Sequence, residues 1–262
     1  MEERNEDLIK QIRNRQLSKV YTIIYVVRNE IKYNGDRLIT KNMYSFIGID
    51  KLGYRTIVDM VIERENDNHF WLDIFESFKI RGLEKLLFLS VTTNKDILRA
   101  LKISFPETLT VPSITDNIYD IYKYVKYRSR DRFVKKIRNI CIQDSIDGFK
   151  DQFDILCDEY KDNYIVSTLI DKKIKNISEY YIYNDNMRKF LFNHNFNTEF
   201  CDMINKYSSN NIVNHVNEIW NYIYEKIIYM EKYKSYPKQS WTGILNDLYL
   251  LFPNYLDYLI KE

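Results

Sequence analysis

The clearest pattern of hydrophobic and polar residues along the chain covers residues 68–106. Apolar residues recur at helical spacing over residues 70–80, and Gly82 follows where a helix C-terminus is expected. The continuous apolar run over residues 86–91 is typical of a strand that is buried on both faces. Apolar residues then return to a helical period over residues 97–103, before Pro106. The pattern predicts a helix, a strand and a second helix.

The residues before this stretch favour β-structure. Residues 20–28 are rich in β-branched and aromatic side chains, and residues 42–50 and 55–62 continue the pattern. Asn34-Gly35 is a strong hairpin signal, and Leu52-Gly53 predicts the next turn. Three antiparallel strands followed by helix, strand and helix are the element order of an RNase H-like α/β fold, a mixed sheet flanked by helices.

The remaining elements are predicted from shorter patterns. Residues 108–111 are compatible with a fifth strand, and the apolar spacing predicts a helix over residues 114–127. One long helix is predicted from about residue 195 to residue 233, and a short helix over residues 241–252 closes the chain.

The domain prediction follows from the absence of a linker. Residues 130–183 stay helical in pattern, and no Gly- or Pro-rich segment separates them from the sheet. We predict a short N-terminal segment over residues 1–18 and a single domain over residues 19–262. An all-helical insertion occupies about residues 130–195 of that domain.

Composition excludes several classes of protein. Hydrophobic residues make up 45% of the chain, which excludes a globally disordered protein. The 39 Lys and Arg residues against 37 Asp and Glu residues give a net charge of +2, so bulk charge indicates neither a strong nucleic-acid binder nor an acidic partner. The charged N-terminus and the lack of a long apolar run predict neither a signal peptide nor a membrane-spanning helix.

The cysteines and histidines lack the spacing of a disulfide framework or a zinc site. They are far apart and include no Cys-x-x-Cys pair: Cys141, Cys157, Cys201, His69, His194 and His215. We therefore predict a reduced, cytoplasmic protein without a zinc site.

Several short segments carry a resemblance through their order and spacing. They are RNRQL, KNMYSFIG, the FWL, RG and FP of residues 70–106, the Met187-Arg188-Lys189 segment followed by Asn195, and WTGILNDLYLLFP. Together they resemble the catalytic domain of Mutator-type insertion-sequence transposases over about residues 13–256. The resemblance implies an RNase H-like fold, DNA as substrate and a triad of two Asp and one Glu that binds Mg²⁺.

The positions that the resemblance assigns to the triad carry no carboxylate. They are Val27 in the first strand, Thr92 after the 86–91 strand, and Thr198 in the segment Asn195-Phe196-Asn197-Thr198. The family's Cys-x-x-His pair falls on Ser113 and Asp116. Two divalent cations about 3.5–4 Å apart need carboxylate oxygens as ligands. The resemblance therefore implies a pseudoenzyme with no metal and no cofactor, in which the family's Mg²⁺ ligands are lost.

An active DNA transposase with relocated metal-binding carboxylates is an alternative. The carboxylates available for such a site are Asp59, Asp96, Asp116 and Glu199. Glu199 directly follows Thr198, but one residue is a rotation of about 100° on a helix, so its side chain points elsewhere.

A basic segment over residues 123–138, KYVKYRSRDRFVKKIR, is the candidate DNA contact. It contains eight basic residues and one acidic residue, with Tyr124, Tyr127 and Phe133 interleaved. Lys and Arg neutralise phosphates, and aromatic rings stack on exposed bases. The candidate residues are Lys123, Lys126, Arg128, Arg130, Arg132, Lys135, Lys136 and Arg138. A solvated face of an amphipathic helix explains the same pattern equally well.

The leading hypothesis is a transposase-derived, catalytically inactive protein that contacts DNA mainly through phosphates. A protein-interaction or structural module with no DNA role is the alternative. The near-neutral charge favours it, as does the short segment of about a dozen residues before the resemblance, where full-length transposases carry DNA-recognition helices. The sequence leaves open a homodimer or another protein partner, and it predicts no membrane association.

Overall fold

β-Branched and aromatic residues build five strands of one mixed sheet. The strands are β1 (Val20–Asn34), β2 (Leu38–Asp50), β3 (Arg55–Ile62), β4 (Lys85–Val91) and β5 (Leu109–Pro112). Their order across the sheet is β3-β2-β1-β4-β5; β1 pairs with β2 and β2 with β3 in antiparallel fashion, whereas β1 and β4 are parallel. This topology, with helices around it, confirms the predicted RNase H-like α/β class.

Ten helices follow in the part of the chain that the structure describes. They are α1 (Phe70–Ile80), α2 (Lys95–Ser104), α3 (Ile114–Tyr122), α4 (Arg130–Cys141), α5 (Ile146–Tyr160), α6 (Tyr164–Ile174), α7 (Asp185–Phe192), α8 (His194–Asn210), α9 (Val216–Tyr233) and α10 (Lys238–Leu251). Two 3₁₀ segments cover Tyr127–Ser129 and Lys175–Ile182.

The structure is a computed structural model, and it describes residues 10–11, 13–34, 38–64, 67, 69–92, 94–192, 194–233 and 238–253. Contacts divide the chain into two compact units. The first unit combines residues 1–111 with residues 195–262, and the second contains residues 112–194. The predicted division into residues 1–18 and a single domain over 19–262, with an insertion at about 130–195, stays a prediction.

One face of the sheet packs against α1. Phe75 and Phe78 are fully buried, and the Phe78 ring meets the Phe46 ring of β2 edge-on, with centroids 5.1 Å apart. Trp71 packs against Tyr44 in the same way at 4.6 Å. After α1, Gly82 adopts a φ of 103°, which ends the helix as its sequence position predicts. The aromatic pattern that predicted α1 is thus its core-facing surface.

The turn between β2 and β3 requires a glycine. Gly53 has a φ of 84°, and a Cβ atom there would lie 2.7 Å from the indole ring of Trp241 in α10. The indole Nε1 donates to the Lys51 carbonyl at 3.1 Å, which fixes the ring over the turn. The predicted Leu52-Gly53 turn is confirmed. The predicted hairpin is confirmed by the pairing of Asn34 with Leu38, although residues 35–37 lie outside the described residues.

The prediction of one long helix over residues 195–233 is wrong. The chain leaves the helix between α8 and α9, where Val213 pairs with the end of β1. The Asn34 amide donates to the Val213 carbonyl, and the Val213 amide donates to the Lys32 carbonyl, both at 2.8 Å. The helix predicted over residues 114–127 also ends early, at Tyr122.

The second unit is helical throughout, as predicted for residues 130–183. Its core contains the fully buried side chains of Phe133, Phe149 and Phe190. Arg188 is also buried, and it donates from Nη1 to the Tyr183 carbonyl at 2.7 Å and from Nη2 to the Gln143 carbonyl at 3.1 Å.

Candidate functional site

Two of the predicted triad positions lie on or directly after neighbouring strands: Val27 in β1, and Thr92 directly after β4. The parallel register of β1 and β4 runs from the Val20–Lys85 pair to the Tyr25–Ser90 pair. Continuing this register by two residues places Val27 level with Thr92, directly after β4. Neighbouring strands lie about 4.8 Å apart. Val27 is fully buried and Thr92 is half-buried.

The helix that carries the third position packs on the same face of β1. Asn29 shares a face with Val27, because side chains alternate along a strand. The Asn29 Nδ2 donates to the Cys201 carbonyl at 3.0 Å and to Asn205 Oδ1 at 2.9 Å, which ties α8 to β1. Thr198 precedes Cys201 by three residues and therefore lies on the same side of α8. The structure thus brings α8, which carries Thr198, against the strand that carries Val27.

The buried polar side chains on these elements are neutral. Asn29, Ser45, Ser90 and Asn197 are each almost completely buried, and Ser45 is the β2 partner of Val27. Among the residues that the structure describes, the Ser45 Oγ, Asn29 Oδ1 and Asn197 Oδ1 atoms have no hydrogen-bond partner. Buried polar atoms without partners are uncommon and are usually satisfied by ordered water. This face of the sheet offers amide and hydroxyl oxygens.

Ser113 and Asp116 form the N-terminal cap of α3. The Ser113 Oγ accepts a hydrogen bond from the Asp116 amide at 3.3 Å, and both side chains are buried. A serine at this position satisfies an otherwise unpaired amide of the first turn. The two positions that the resemblance assigns to a Cys-x-x-His pair are therefore occupied by residues that cap a helix.

The structure separates the eight basic residues of 123–138 into two groups. Arg130 turns inward, where its Nε donates to the Val125 carbonyl at 3.1 Å and its guanidinium lies 4.5 Å from the Tyr122 ring centroid. Lys136 is paired with Glu159, and Arg138 is half-buried. The exposed group comprises Lys123, Lys126, Arg128, Arg132 and Lys135.

Comparison with known proteins decides the family. The model of the family described as Transposase, Mutator family, matches residues 1–213. The chain belongs to the Mutator family of transposases.

Individual Mutator-family relatives are distant and longer. A probable transposase for an insertion sequence element of Corynebacterium diphtheriae is 23% identical over 128 residues, covering 48% of this chain and 37% of the relative. The transposase for insertion sequence element ISRM3 of Rhizobium meliloti (strain 1021) is 24% identical over 135 residues, covering 51% of this chain and 34% of the relative. The chain therefore spans about a third of the length of these relatives.

The donor set at the three positions of this Mutator-family chain does not fit a pair of divalent cations. Val27 has no donor atom, and Thr92 and Thr198 offer one neutral hydroxyl each, whereas hard divalent cations take carboxylate oxygens. Within the described ranges, no group of three or more His, Cys, Asp and Glu residues is placed to hold a metal.

The four carboxylates of the alternative metal site have separate surroundings. Asp59 lies 3.7 Å from both Arg13 Nε and Arg81 Nη1, and burial raises the pKa of its carboxyl group while the two arginines oppose that shift. Asp116 is buried in the α3 cap, and Asp96 and Glu199 are exposed. Each of these carboxylates is thus described by its own local environment.

The polar anchor at Glu231 and a cavity beside the basic segment are features of this Mutator-family chain that sequence reasoning did not predict. Glu231 of α9 accepts hydrogen bonds from Arg15 and from the Ile57 amide at the outer edge of β3. A cavity of about 370 Å³ lies beside the basic segment, lined in part by Tyr124 and Tyr164. Tyr164 is exposed at the start of α6, directly after the Asn163 cap, and no pattern in the sequence marks it as part of a cavity. None of the described helices is both long and apolar enough to cross a membrane.

Proposed function

We propose that this Mutator-family protein keeps the transposase fold, lacks strand-transfer activity and associates with DNA. The single observation that supports the proposal is the β1–β4 register, whose last pair, Tyr25–Ser90, lies two residues before Val27 and Thr92 on the two chain segments. A pair of Asp residues at these two points would share a cation. A valine and a threonine in their place support a pseudoenzyme.

The chemistry of the reaction explains why the loss matters. Two-metal phosphoryl transfer requires activation of an attacking oxygen and stabilisation of a leaving oxygen by cations that the protein holds in place. The neutral oxygens of Ser45, Asn29 and Asn197 have little affinity for a divalent cation that is not also bound by carboxylates. The neutral polar side chains around Val27 thus support the proposal that this position is part of the protein core and does not bind a metal.

DNA association rests on the exposed group of basic residues. Lys126, Arg128 and Lys135 are exposed on a segment that carries one acidic residue, Asp131. Contacts with phosphates release counterions, so binding through this group falls steeply with salt concentration.

Activity is tested with the wild-type chain and labelled duplex DNA in Mg²⁺ or Mn²⁺, with cleavage and strand joining followed on denaturing gels. The expected result is neither product in either metal. Metal-dependent cleavage by the wild type would contradict this proposal. If one of four substitutions then abolishes the cleavage, the protein is an active transposase with a relocated metal site; the four are Asp59→Asn, Asp96→Asn, Asp116→Asn and Glu199→Gln.

Restoring the carboxylates tests the position of the lost site. The Val27→Asp, Thr92→Asp, Thr198→Glu triple variant is expected to gain thermal stability on addition of Mn²⁺, because a ligand that binds only the folded state stabilises it. The matched control carries Thr198→Gln, which has the shape of Glu without the charge, and is expected to gain less. Equal Mn²⁺ responses of both variants and the wild type would contradict the assigned positions.

Duplex binding is measured by fluorescence anisotropy across a salt series. The Lys126→Ala, Arg128→Ala, Lys135→Ala variant is expected to bind more weakly and to lose about 0.9 from the log–log salt slope for each phosphate contact removed. Lys150→Ala, an exposed lysine on α5, is the control. If the wild type fails to bind DNA at low salt, the protein-interaction module becomes the preferred function.

A further inference from the structure

The turn between α3 and α4 presents aromatic rings and cations on one short segment. The Tyr124 side chain is 47% exposed and the Tyr127 side chain 83% exposed. They alternate with Lys123, Lys126 and Arg128, which are exposed as well. Tyrosines usually bury their rings and leave only the hydroxyl group in water. Two open rings between three basic residues are therefore a feature that packing of the second unit does not explain.

Hydrogen bonds from Arg130 and the burial of Val125 hold this turn in place. Val125 is buried between the two exposed tyrosines, and its carbonyl accepts the hydrogen bond from Arg130 Nε at 3.1 Å. Arg130 Nη2 also donates to the Lys123 carbonyl at 3.2 Å, and its guanidinium lies 5.7 Å from the Tyr127 ring centroid. The inward-facing arginine thus fixes the backbone that displays the outward-facing rings. A fixed surface loses little conformational freedom when a ligand binds.

A cavity continues this surface towards α6. Its volume is about 370 Å³, and Lys123, Tyr124, Tyr164, Ile165 and Leu169 are among the residues that line it. Tyr164 is 82% exposed and Ile165 is 50% exposed. The volume falls within the range of roughly 300–1,000 Å³ that is common for small-ligand sites.

We propose that this surface, which we call the tyrosine surface (Tyr124, Tyr127 and Tyr164 with Lys126 and Arg128), binds single-stranded DNA by base stacking. The proposal rests on the DNA association proposed above and names the form of DNA. In a duplex each base is covered by its neighbours, so an exposed ring has no free base to stack on. In a single strand the bases are accessible, and stacking on aromatic residues tolerates any sequence. The neighbouring cations match the phosphates of the strand.

The test compares a fluorescein-labelled oligothymidylate with a duplex of the same length, by anisotropy on the full chain. The wild type is expected to bind the single strand more tightly than the duplex. The Tyr124→Ala, Tyr127→Ala variant is expected to lose about ten-fold or more in single-strand affinity, the scale of one to two stacked bases, with little change in duplex affinity. The Tyr124→Phe, Tyr127→Phe variant keeps both rings and is expected to bind like the wild type.

The Lys126→Ala, Arg128→Ala variant separates charge from stacking, since it is expected to weaken binding of both forms of DNA. Wild-type binding that does not favour the single strand, or an equal loss of both affinities on removing the rings, would overturn the stacking proposal and leave DNA association standing. Failure of both forms to bind would overturn the two proposals together. Photo-crosslinking to an oligonucleotide with 5-bromouracil gives a second readout, and adducts confined to residues outside Tyr124, Tyr127 and Tyr164 would also overturn the stacking proposal.

Discussion

At the scale of single residues, Arg188 shows what a local pattern cannot reveal. Its side chain is one of the few charged groups buried in the second unit. The guanidinium donates to the Tyr183 and Gln143 carbonyls and lies 4.4 Å from the Tyr181 ring centroid. The sequence predicts Arg188 only as part of the approach to a catalytic position. Its structural role depends on carbonyl groups from two other segments, which no spacing along the chain encodes.

Replacing Arg188 with Met is expected to destabilise the protein by about 2–4 kcal/mol, since two buried carbonyl groups lose a charged donor. Arg188→Lys is expected to be nearly as unstable as Arg188→Met, because an ammonium group cannot donate to both carbonyls as a planar guanidinium does. Urea unfolding followed by circular dichroism measures both changes. Lys189→Ala, on the exposed side of the same helix, is the control and is expected to change stability by less than about 0.5 kcal/mol. A similar loss for Arg188→Met and Lys189→Ala would contradict this role.

The cysteines are expected to differ in reactivity. Burial raises the pKa of Cys141 to about 12. Cys157 is only half-buried, and its pKa is raised by burial first and then by Asp154. Because the thiolate is the reactive form, iodoacetamide is expected to modify Cys157 in the native protein faster as the pH rises from 7 to 9, with Cys141 protected throughout. Mass spectrometry measures the modification at each site, and unfolding in urea should expose both thiols. Equal native rates would contradict the burial of Cys141.

At the scale of elements, the sequence predicts what is locally periodic. The helix, strand and helix over residues 70–104 follow the predicted pattern closely, because each has its own apolar spacing, Gly82 follows the first helix and Asn94 caps the second. The break between α8 and α9 was missed because helical spacing continues on both sides of it. Val213 leaves the helix to pair with Tyr33, a long-range contact that competes with the local preference. The parallel pairing of β1 with β4 likewise depends on a long-range register and not on local spacing.

The attachment of α9 to β3 is expected to depend on Glu231. Its carboxylate accepts from Arg15 Nη2 at 2.6 Å and from the Ile57 amide at 2.9 Å. Glu231→Ala is expected to cost about 2–4 kcal/mol, because the edge amide of Ile57 loses its acceptor and the partly buried Arg15 guanidinium loses its carboxylate partner. Glu231→Gln keeps one acceptor oxygen and is expected to cost less. Urea unfolding and hydrogen exchange at the Ile57 amide measure the effect. Glu225→Ala, at an exposed position of the same helix, is the control. Unchanged exchange at Ile57 in the Glu231→Ala variant would contradict the role of Glu231.

At the scale of the whole molecule, the chain forms two units, each with its own core. The helical character of residues 130–183 was predictable from their apolar spacing. The start of the second unit at residue 112 was not, since no Gly- or Pro-rich linker marks it. The boundary instead falls at the end of β5, where the chain passes from the sheet to the α3 cap.

Residues 112–194, produced alone, are expected to be helical and to unfold cooperatively in urea, because Phe133, Phe149 and Phe190 are fully buried within that unit. Phe133→Ala in the same fragment is expected to remove about 3–5 kcal/mol, the usual effect of truncating a buried phenylalanine. Circular dichroism follows both transitions. A fragment with a gradual, non-cooperative loss of signal would show that the second unit needs the rest of the chain.

The pairing of Val213 with the end of β1 has a consequence for synthesis on the ribosome. The neighbouring Asn34–Asn214 contact joins residues 180 positions apart, and the whole second unit is made between them. At about 5–20 residues per second, the outer end of β1 waits roughly 10 to 40 seconds for this partner after it has been translated. An unpaired strand edge can pair with other chains. The nascent protein therefore passes through an interval in which its central strand is open to association with neighbouring nascent chains, and this interval ends when the segment after α8 leaves the exit tunnel.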